Sequence, residues 1–436
     1  MQRTYDRILA DFGFNTKIVM TYINRAIERL VRGKAGKVTL VTGARQVGKS
    51  TMLRHLFPKF RYVTLDDGFL LRQAEENPSE FLESIGLPVI IDEAQRAPSL
   101  FRQIKLLCDT TDTRGKLYLS GSQQYHLMKG VTESLAGRIH ILELPGLSQR
   151  EVNEDPFTDC FIPTDDYIRK RLKTARKPVS LWSAIHRGGY PELADPETDW
   201  ELFYANYLKS YLERDVRDLA AVHNLRTFER FMIAAAARTG EVLNASNIAD
   251  ETGADVTTIK RWLSILEASG IIYLLEPFAA TTLKRAIKTP KLYFRDTGLV
   301  CYLMRWLTPD TAERGAMSGH LFETHVISEI IKSFANAGKD YRHFLSYYRG
   351  RDRRRVMRNG QPELVEEEID LIIEADGILY PVEIKKGSNV SAEMTAAFQV
   401  LDKVKTARRG TGTLICTCPM PSKLRENVRA LPVWLI

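Results

Sequence analysis

The chain has 436 residues, 44% of them hydrophobic and 27% charged, with a formal net charge of +8 and a pI near 9.1. That length exceeds one ordinary core and predicts roughly two to four domains, while the composition excludes a disordered or fibrous chain. The mild positive excess leaves a polyanionic partner open without requiring one.

The N-terminus, MQRTYDRILADF, is polar and has no apolar signal core. No stretch approaches about 18 uninterrupted apolar residues, so a cytoplasmic location with no membrane partner is expected. The five cysteines, Cys108, Cys160, Cys301, Cys416 and Cys418, are scattered, and no second pair near the last two completes a zinc site. Reduced thiols are expected.

Residues 37–43, KVTLVTG, form a β-branched run closed by glycine, which predicts a buried strand with a helix following from about Lys49. Apolar runs recur at 61–67 (RYVTLDD), 88–94 (PVIIDEA) and 116–122 (KLYLSGS). Strands alternating with helical stretches imply an α/β fold, a parallel sheet covered on both faces.

Between the first strand and its helix the segment Gly43-Ala-Arg-Gln-Val-Gly48-Lys49-Ser50 fits G-x-x-x-x-G-K-[ST]. Glycines let backbone amides turn inward around phosphates, and the helix N-terminus adds its positive dipole end. The expected ATP cradle is Gly43, Ala44, Arg45, Gln46, Val47, Gly48, Lys49, Ser50 and Thr51. Lys49 would reach the β- and γ-phosphates and Ser50 would ligate Mg2+. In PVIIDEAQ, Asp92 and Glu93 follow four apolar residues and emerge at the C-terminal edge of the sheet. Asp92 would hold the metal's water shell and Glu93 would polarise the attacking water, against the plainer alternative of a solvated acidic turn. Ser120 or Ser122 could orient that water, and Arg138 could serve a neighbouring subunit as an arginine finger.

The series GARQVGKST, VIIDEAQ, YLSGS and SLAGR resembles a prokaryotic branch of the AAA-type P-loop ATPases, which continues into a C-terminal region of unknown function. GGYPE, TPKLYFRDTGL, GHLFETHV, EEEIDLIIE and VEIKKG follow in that family's order. The resemblance implies Asp92 and Glu93 as a Walker B pair, and Arg138 as a finger in self-association.

From 160 to 235 the strand signal gives way to helix-compatible spacing. Residues 246–270 then read as a helix-turn-helix: a short helix from Asn247 to Glu251, a turn at Gly253, and a second helix from near Val256. Thr257, Thr258, Lys260 and Arg261 fall at its N-terminal end, where a recognition helix touches bases. IIYLLEPF and PKLYFRD fit the strands of a wing. Packing between domains is the alternative use of such a module.

In EIDLIIEADGILYPVEIKKG the Asp376-Gly377 pair predicts a two-residue hairpin turn. Ala375 then pairs with Ile378, and counting outward sets Asp370 opposite Glu383, with Lys385 on the same face. Facing carboxylates repel unless a cation intervenes, so Asp370 and Glu383 are candidate Mg2+ ligands. Ile369, Leu371 and Ile373 are expected on the opposite face with Val382 and Ile384. The Asp…Glu-x-Lys set resembles the core of restriction-endonuclease-like folds, in which Lys385 would help activate water and Glu323 would be the helical glutamate beside the metal. SYYRGRDRRRVMR suits nucleic acid, DNA more than RNA, although the acidic run Glu363–Glu368 could pair with it instead.

The expected organisation is a P-loop AAA-type ATPase domain (1–158), a helical subdomain (159–235), a winged helix-turn-helix (236–300) and a restriction-endonuclease-like αβ domain (301–436). Functionally the sequence implies a DNA-associated ATPase positioning a Mg-dependent nuclease-like domain, or else a signalling or scaffold ATPase with a catalytically silent binding module.

Overall fold

The computed structural model describes residues 22–33, 36–121, 135–178, 180–211, 225–278, 288–358 and 361–436, with backbone alone described for 351–358 and 361–366. Among the described residues no helix is long and apolar enough to cross a membrane. All five cysteines are free and buried.

Five parallel strands form the first sheet: β1 (Val38–Thr42), β2 (Arg61–Thr64), β3 (Val89–Asp92), β4 (Leu117–Gly121) and β5 (Ile139–Glu143). Their order is β2-β3-β4-β1-β5. Every residue of β1, β3 and β4 is buried, which is why these segments read as continuous apolar runs rather than alternating ones. β5 is not among the strands expected from the sequence. It is an edge strand, mostly half-exposed, and His140 breaks its apolar run. The helix α1 (Lys49–Leu56) follows β1 directly.

Helices dominate from Asp165, including α2 (Trp200–Tyr211), whose Phe203, Tyr204, Tyr207 and Tyr211 are buried. Next come α3 (Leu225–Ala236), α4 (Ala245–Thr252) and α5 (Val256–Ala268). Gly253 takes the left-handed φ of 75° that the turn requires. Phe228 and Phe231 of α3 meet Trp262 of α5 at ring-centroid distances of 5.1 and 5.3 Å. Thus α3, just before the boundary expected near residue 235, packs against α5. Strands β6 (Glu241–Val242), β7 (Ile272–Leu275) and β8 (Lys291–Phe294) complete this unit as an antiparallel sheet with β8 central.

The C-terminal part begins with α6 (Ser318–Asn336), buried almost throughout. Seven strands follow: β9 (Leu345–Arg358), β10 (Gln361–Ala375), β11 (Ile378–Ile384), β12 (Arg408–Arg409), β13 (Gly412–Cys416), β14 (Ser422–Arg425) and β15 (Val428–Pro432). β9, β10 and β11 run antiparallel, and β13 and β15 continue the sheet in parallel. The Asp376-Gly377 turn has both φ values positive (52° and 71°), and Ala375 pairs with Ile378 as the turn chemistry predicts. Ile369 departs from expectation. It packs with Ile372, Leu379 and Tyr348, whereas Leu371 and Ile373 join Val382 and Ile384 in the main core. The β9 register slips between Ile369 and Ile372, which locally breaks the strict alternation.

The first sheet and the C-terminal sheet each have a cluster of their own, and a larger one is shared. One hydrophobic cluster runs from Ile27 to Ile436 and takes residues from each of the four expected domains. The final carbonyls are gripped as well: Arg150 and Arg171 donate to Ile436 O, and Tyr167 donates to Leu435 O.

Candidate active site

The chain leaves β1 at Thr42 and turns through Gly43–Gly48 before α1. Gly43 has φ +146°, and a Cβ built there would lie 2.2 Å from the Leu144 carbonyl oxygen, so only glycine fits. Gln46 and Gly48 also have positive φ, 60° and 89°. Such a succession turns amides inward, and the first amides of α1 have no carbonyl partner within the helix. Met52 N–H is bonded back to Gly48 O at 2.8 Å. The loop is therefore a cradle for an anion. The buried Lys49 ammonium arches over it, donating to Gly43 O at 2.9 Å and Ala44 O at 2.7 Å.

Asp92 closes β3, and β4 lies between it and β1. Its Oδ2 accepts from Ser50 Oγ at 2.8 Å and from Tyr62 OH at 2.6 Å, and its Oδ1 accepts from Ser120 Oγ. Burial and the bond to Asp92 push the Tyr62 phenol well above its ordinary pKa, which keeps it a donor. Glu93 sits in the left-handed region (φ 55°), at a cost of about 1–2 kcal/mol for a non-glycine residue. Its Oε2 accepts from Gln95 Nε2. Ser50 and Asp92 thus converge a hydroxyl and a carboxylate oxygen at the loop, hard donors that fit magnesium. Ser120, expected to orient water, is fully buried and holds Asp92 instead. Ser122 lies outside the described residues.

The loop is braced by a residue the sequence reading passed over. Arg25 is buried, and it donates to Val47 O (2.8 Å), Pro145 O (2.6 Å) and Glu151 Oε1 (3.1 Å). Burial alone would raise the Glu151 pKa, but Arg25 and the amides of Ser148 and Ala26 hold it below the ordinary carboxylate value. An isolated arginine ahead of the first strand carries no sequence signal for this role.

A second polar cluster lies far along the chain. The pairing of Leu371 with Val382 sets Asp370 and Glu383 at the next position of the β10–β11 ladder. Both are buried, as is Glu323 on α6. Asp370 Oδ2 accepts from Ile384 N–H at 2.8 Å. Lys385 Nζ lies 2.6 Å from Glu383 Oε1 and 3.8 Å from Asp370 Oδ2. Four members of the cluster are thus those expected from the sequence, and two are not. Glu368 joins from β10. Lys291, from β8, places its Nζ 2.5 Å from Glu368 Oε1, 3.2 Å from Glu323 Oε1 and 3.6 Å from Asp370 Oδ1. Burial, with Asp370 and Glu368 adding to it against Lys291 and Tyr293, raises Glu323 to about 7. Burial and Asp370 raise Glu383 well above its ordinary value. Among the described residues no group of three or more His, Cys, Asp or Glu is arranged to hold a metal. With an ammonium already among the carboxylates, this cluster does not fit magnesium as the first site does.

Residues 35–153 match an AAA domain family, 179–310 a domain of unknown function (DUF8612) and 361–436 another (DUF4143). The N-terminal unit is a P-loop domain of the AAA type. Uncharacterized proteins of Mycobacterium tuberculosis (Rv2008c) and Mycobacterium bovis (Mb2031c) are each 27% identical to this chain over 375 residues, covering 85% of it and 75% of their own length. Among solved structures, the Walker-type ATPase PABY2304 of Pyrococcus abyssi is 15% identical, with a TM-score of 0.41 and coverage of 67% of this chain and 99% of its own. The STAND (signal transduction ATPase with numerous domains) protein PH0952 of Pyrococcus horikoshii, which has a tetratricopeptide repeat sensor, is 13% identical. Its TM-score is 0.25, with coverage of 74% and 48% respectively.

Within the AAA domain, Arg138 precedes β5, at the sheet edge opposite the phosphate loop. Five residues of strand separate the two edges, roughly 16 Å by strand rise. Arg138 makes a two-pronged pair with Asp109 (2.7 and 3.1 Å) and is remote from its own loop. Beyond the domain, Lys260 and Arg261 are exposed on α5 as expected. Thr258 is half-buried and bonds Asp255, the α5 cap, at 2.6 Å. In the β9–β10 ladder Arg353 is opposite Glu366 and Arg349 opposite Glu368, while Arg354, Arg355 and Arg358 are opposite Val365, Leu364 and Gln361.

Proposed function

We propose that this chain binds ATP with magnesium at the Gly43–Thr51 loop and hydrolyses it. The observation that carries the reading is the convergence of Ser50 and Asp92, 2.8 Å apart, beside a loop whose backbone only glycine at position 43 permits. Bound there, magnesium would be held by Ser50 and by Asp92 and would neutralise charge on the phosphate oxygens. The chain's own groups do the rest. Loop amides and Lys49 hold the phosphates, while Glu93, turned out of its strand by its left-handed backbone, orients water and accepts its proton. Arg138, bonded to Asp109 and remote from its own loop, would act on a second copy's loop, as a finger in trans.

Two variants test this. Lys49→Ala should abolish retention of ATP with magnesium in a folded chain. Glu93→Gln should keep nucleotide binding and slow turnover by about 100-fold or more. Normal turnover in Glu93→Gln would remove Glu93 from the mechanism, and ATP retained by Lys49→Ala would remove the loop reading.

The remainder of the chain we read as a DNA-associated module coupled to this ATPase. The exposed Lys260 and Arg261 support DNA contact through α5. For the restriction-endonuclease-like part, the Lys291 ammonium among the carboxylates favours the second alternative, a binding module without cleavage.

A further inference from the structure

We propose that Lys291 is the resident cation of the Asp370–Glu383 cluster. Its ammonium stands where a restriction-endonuclease-like site would take a divalent ion, making the cluster a metal-independent joint between the β6–β8 unit and the C-terminal domain. The inference deepens the silent-module reading and does not depend on ATP hydrolysis.

The geometry is that of a coordinated cation. Three carboxylates from two separate elements, Glu323 on α6 and Glu368 and Asp370 on β10, surround one nitrogen at 2.5 to 3.6 Å. Lys291 is 2% exposed, so bulk water is largely kept from it. A buried ammonium loses its hydration and would shed its proton without anionic neighbours. Here three carboxylate oxygens supply those neighbours. The Tyr347 ring lies 5.6 Å from the same nitrogen and adds a π face to the cation's surroundings.

Lys291 is also held in place. Its backbone pairs with Val242 of β6 on one side and Leu275 of β7 on the other, so β8 cannot swing aside without breaking two ladders. Tyr293, two residues on and therefore on the same face of β8, donates to Glu323 Oε1 at 2.5 Å. Two consecutive inward-facing positions of β8 thus converge on one glutamate of α6. A metal bridging Asp370, Glu383 and Glu323 would need to enter beside a fixed positive charge, and Lys385 adds a second on Glu383. The carboxylates that would select magnesium in a nuclease here serve to bind one domain to another through an ammonium.

The test uses the full chain without nucleotide, carrying Asp92→Asn so that the phosphate-loop site does not report. Mn2+ is titrated and followed by electron paramagnetic resonance, with Asp370→Asn added to assign any signal. With Lys291 in place, no Asp370-dependent Mn2+ binding is expected. In Lys291→Met, which keeps the side chain's length and removes its charge, Asp370-dependent binding should appear, tighter by about 100-fold or more. If Lys291→Met does not fold, Lys291→Gln carries the same comparison. Asp370-dependent Mn2+ binding while Lys291 is present would overturn the proposal. So would a folded Lys291 variant that binds no Mn2+, because the ammonium would then be replacing nothing. ATP retention is measured separately, so failure here leaves the phosphate-loop reading standing.

Discussion

Two residues set the phosphate loop, and they act through different physics. Gly43 meets a steric limit: its φ of +146° lies outside what a side chain tolerates, and an added Cβ would collide with backbone at Leu144 rather than with a movable side chain. Gly43→Ala should cost about 3 kcal/mol or more, read as a fall in the urea midpoint together with loss of ATP retention. A cost below about 1 kcal/mol would mean that the loop relaxes freely. Arg25 acts by charge. Its guanidinium neutralises Glu151, whose side chain is 2% exposed, while bonding the carbonyls of Val47 and Pro145. Arg25→Met leaves that carboxylate buried and unpaired and should destabilise the fold by about 3–5 kcal/mol. The double variant Arg25→Met/Glu151→Leu should recover much of this, and no recovery would show that the carbonyl bonds matter more than the pair. The glycine was legible from the motif. The arginine was not, because its partner Glu151 lies more than a hundred positions away and no local pattern marks it.

Among the elements, α5 and the β9–β10 hairpin both carry arginine or lysine that could meet phosphate, but their surroundings differ. Along the hairpin, Arg349 and Arg353 oppose Glu368 and Glu366, whereas Arg354, Arg355 and Arg358 oppose Val365, Leu364 and Gln361. On α5, Lys260 and Arg261 are exposed in the N-terminal half of the helix. Duplex DNA binding should therefore respond to α5. Replacing both Lys260 and Arg261 by alanine should reduce the slope of log affinity against log salt by about 2, one for each phosphate that a side chain no longer neutralises. An unchanged slope would assign α5 to packing between units. The helix-turn-helix pattern and the Asp376-Gly377 hairpin were legible because each depends on local periodicity and turn chemistry. β5 was not legible, since a short edge strand needs only partial burial and tolerates His140 within it.

At the scale of the whole molecule, α6 runs through the shared core, and its His325 is buried. Burial lowers the His325 pKa to about 4 from an ordinary 6.5, with Lys332 assisting and Glu329 opposing. A histidine depressed in the folded state binds its proton more readily when unfolded. Its contribution to stability is therefore complete above pH 6.5 and is lost as pH falls toward 4. Between pH 7 and pH 5 this group should remove about 2 kcal/mol of unfolding free energy. His325→Leu should flatten that part of the profile in denaturant titrations, and an unaltered profile would place the acid sensitivity elsewhere. Because the largest cluster takes residues from all four units, such a loss should appear as a single transition rather than as the melting of one domain.

The sequence by itself determined the phosphate loop, the run from Ile90 to Glu93, the helix-turn-helix and the facing of Asp370 toward Glu383. Each follows from spacing along a few consecutive residues. Only the tertiary structure decided what surrounds them: Arg25 beneath the loop, Ser120 and Tyr62 on Asp92, the remoteness of Arg138 from its own loop, and Lys291 among the carboxylates. The reason is physical. Backbone geometry and alternation are local and can be counted, whereas burying a charge requires a partner, and the fold draws that partner from wherever in the chain it is brought into reach.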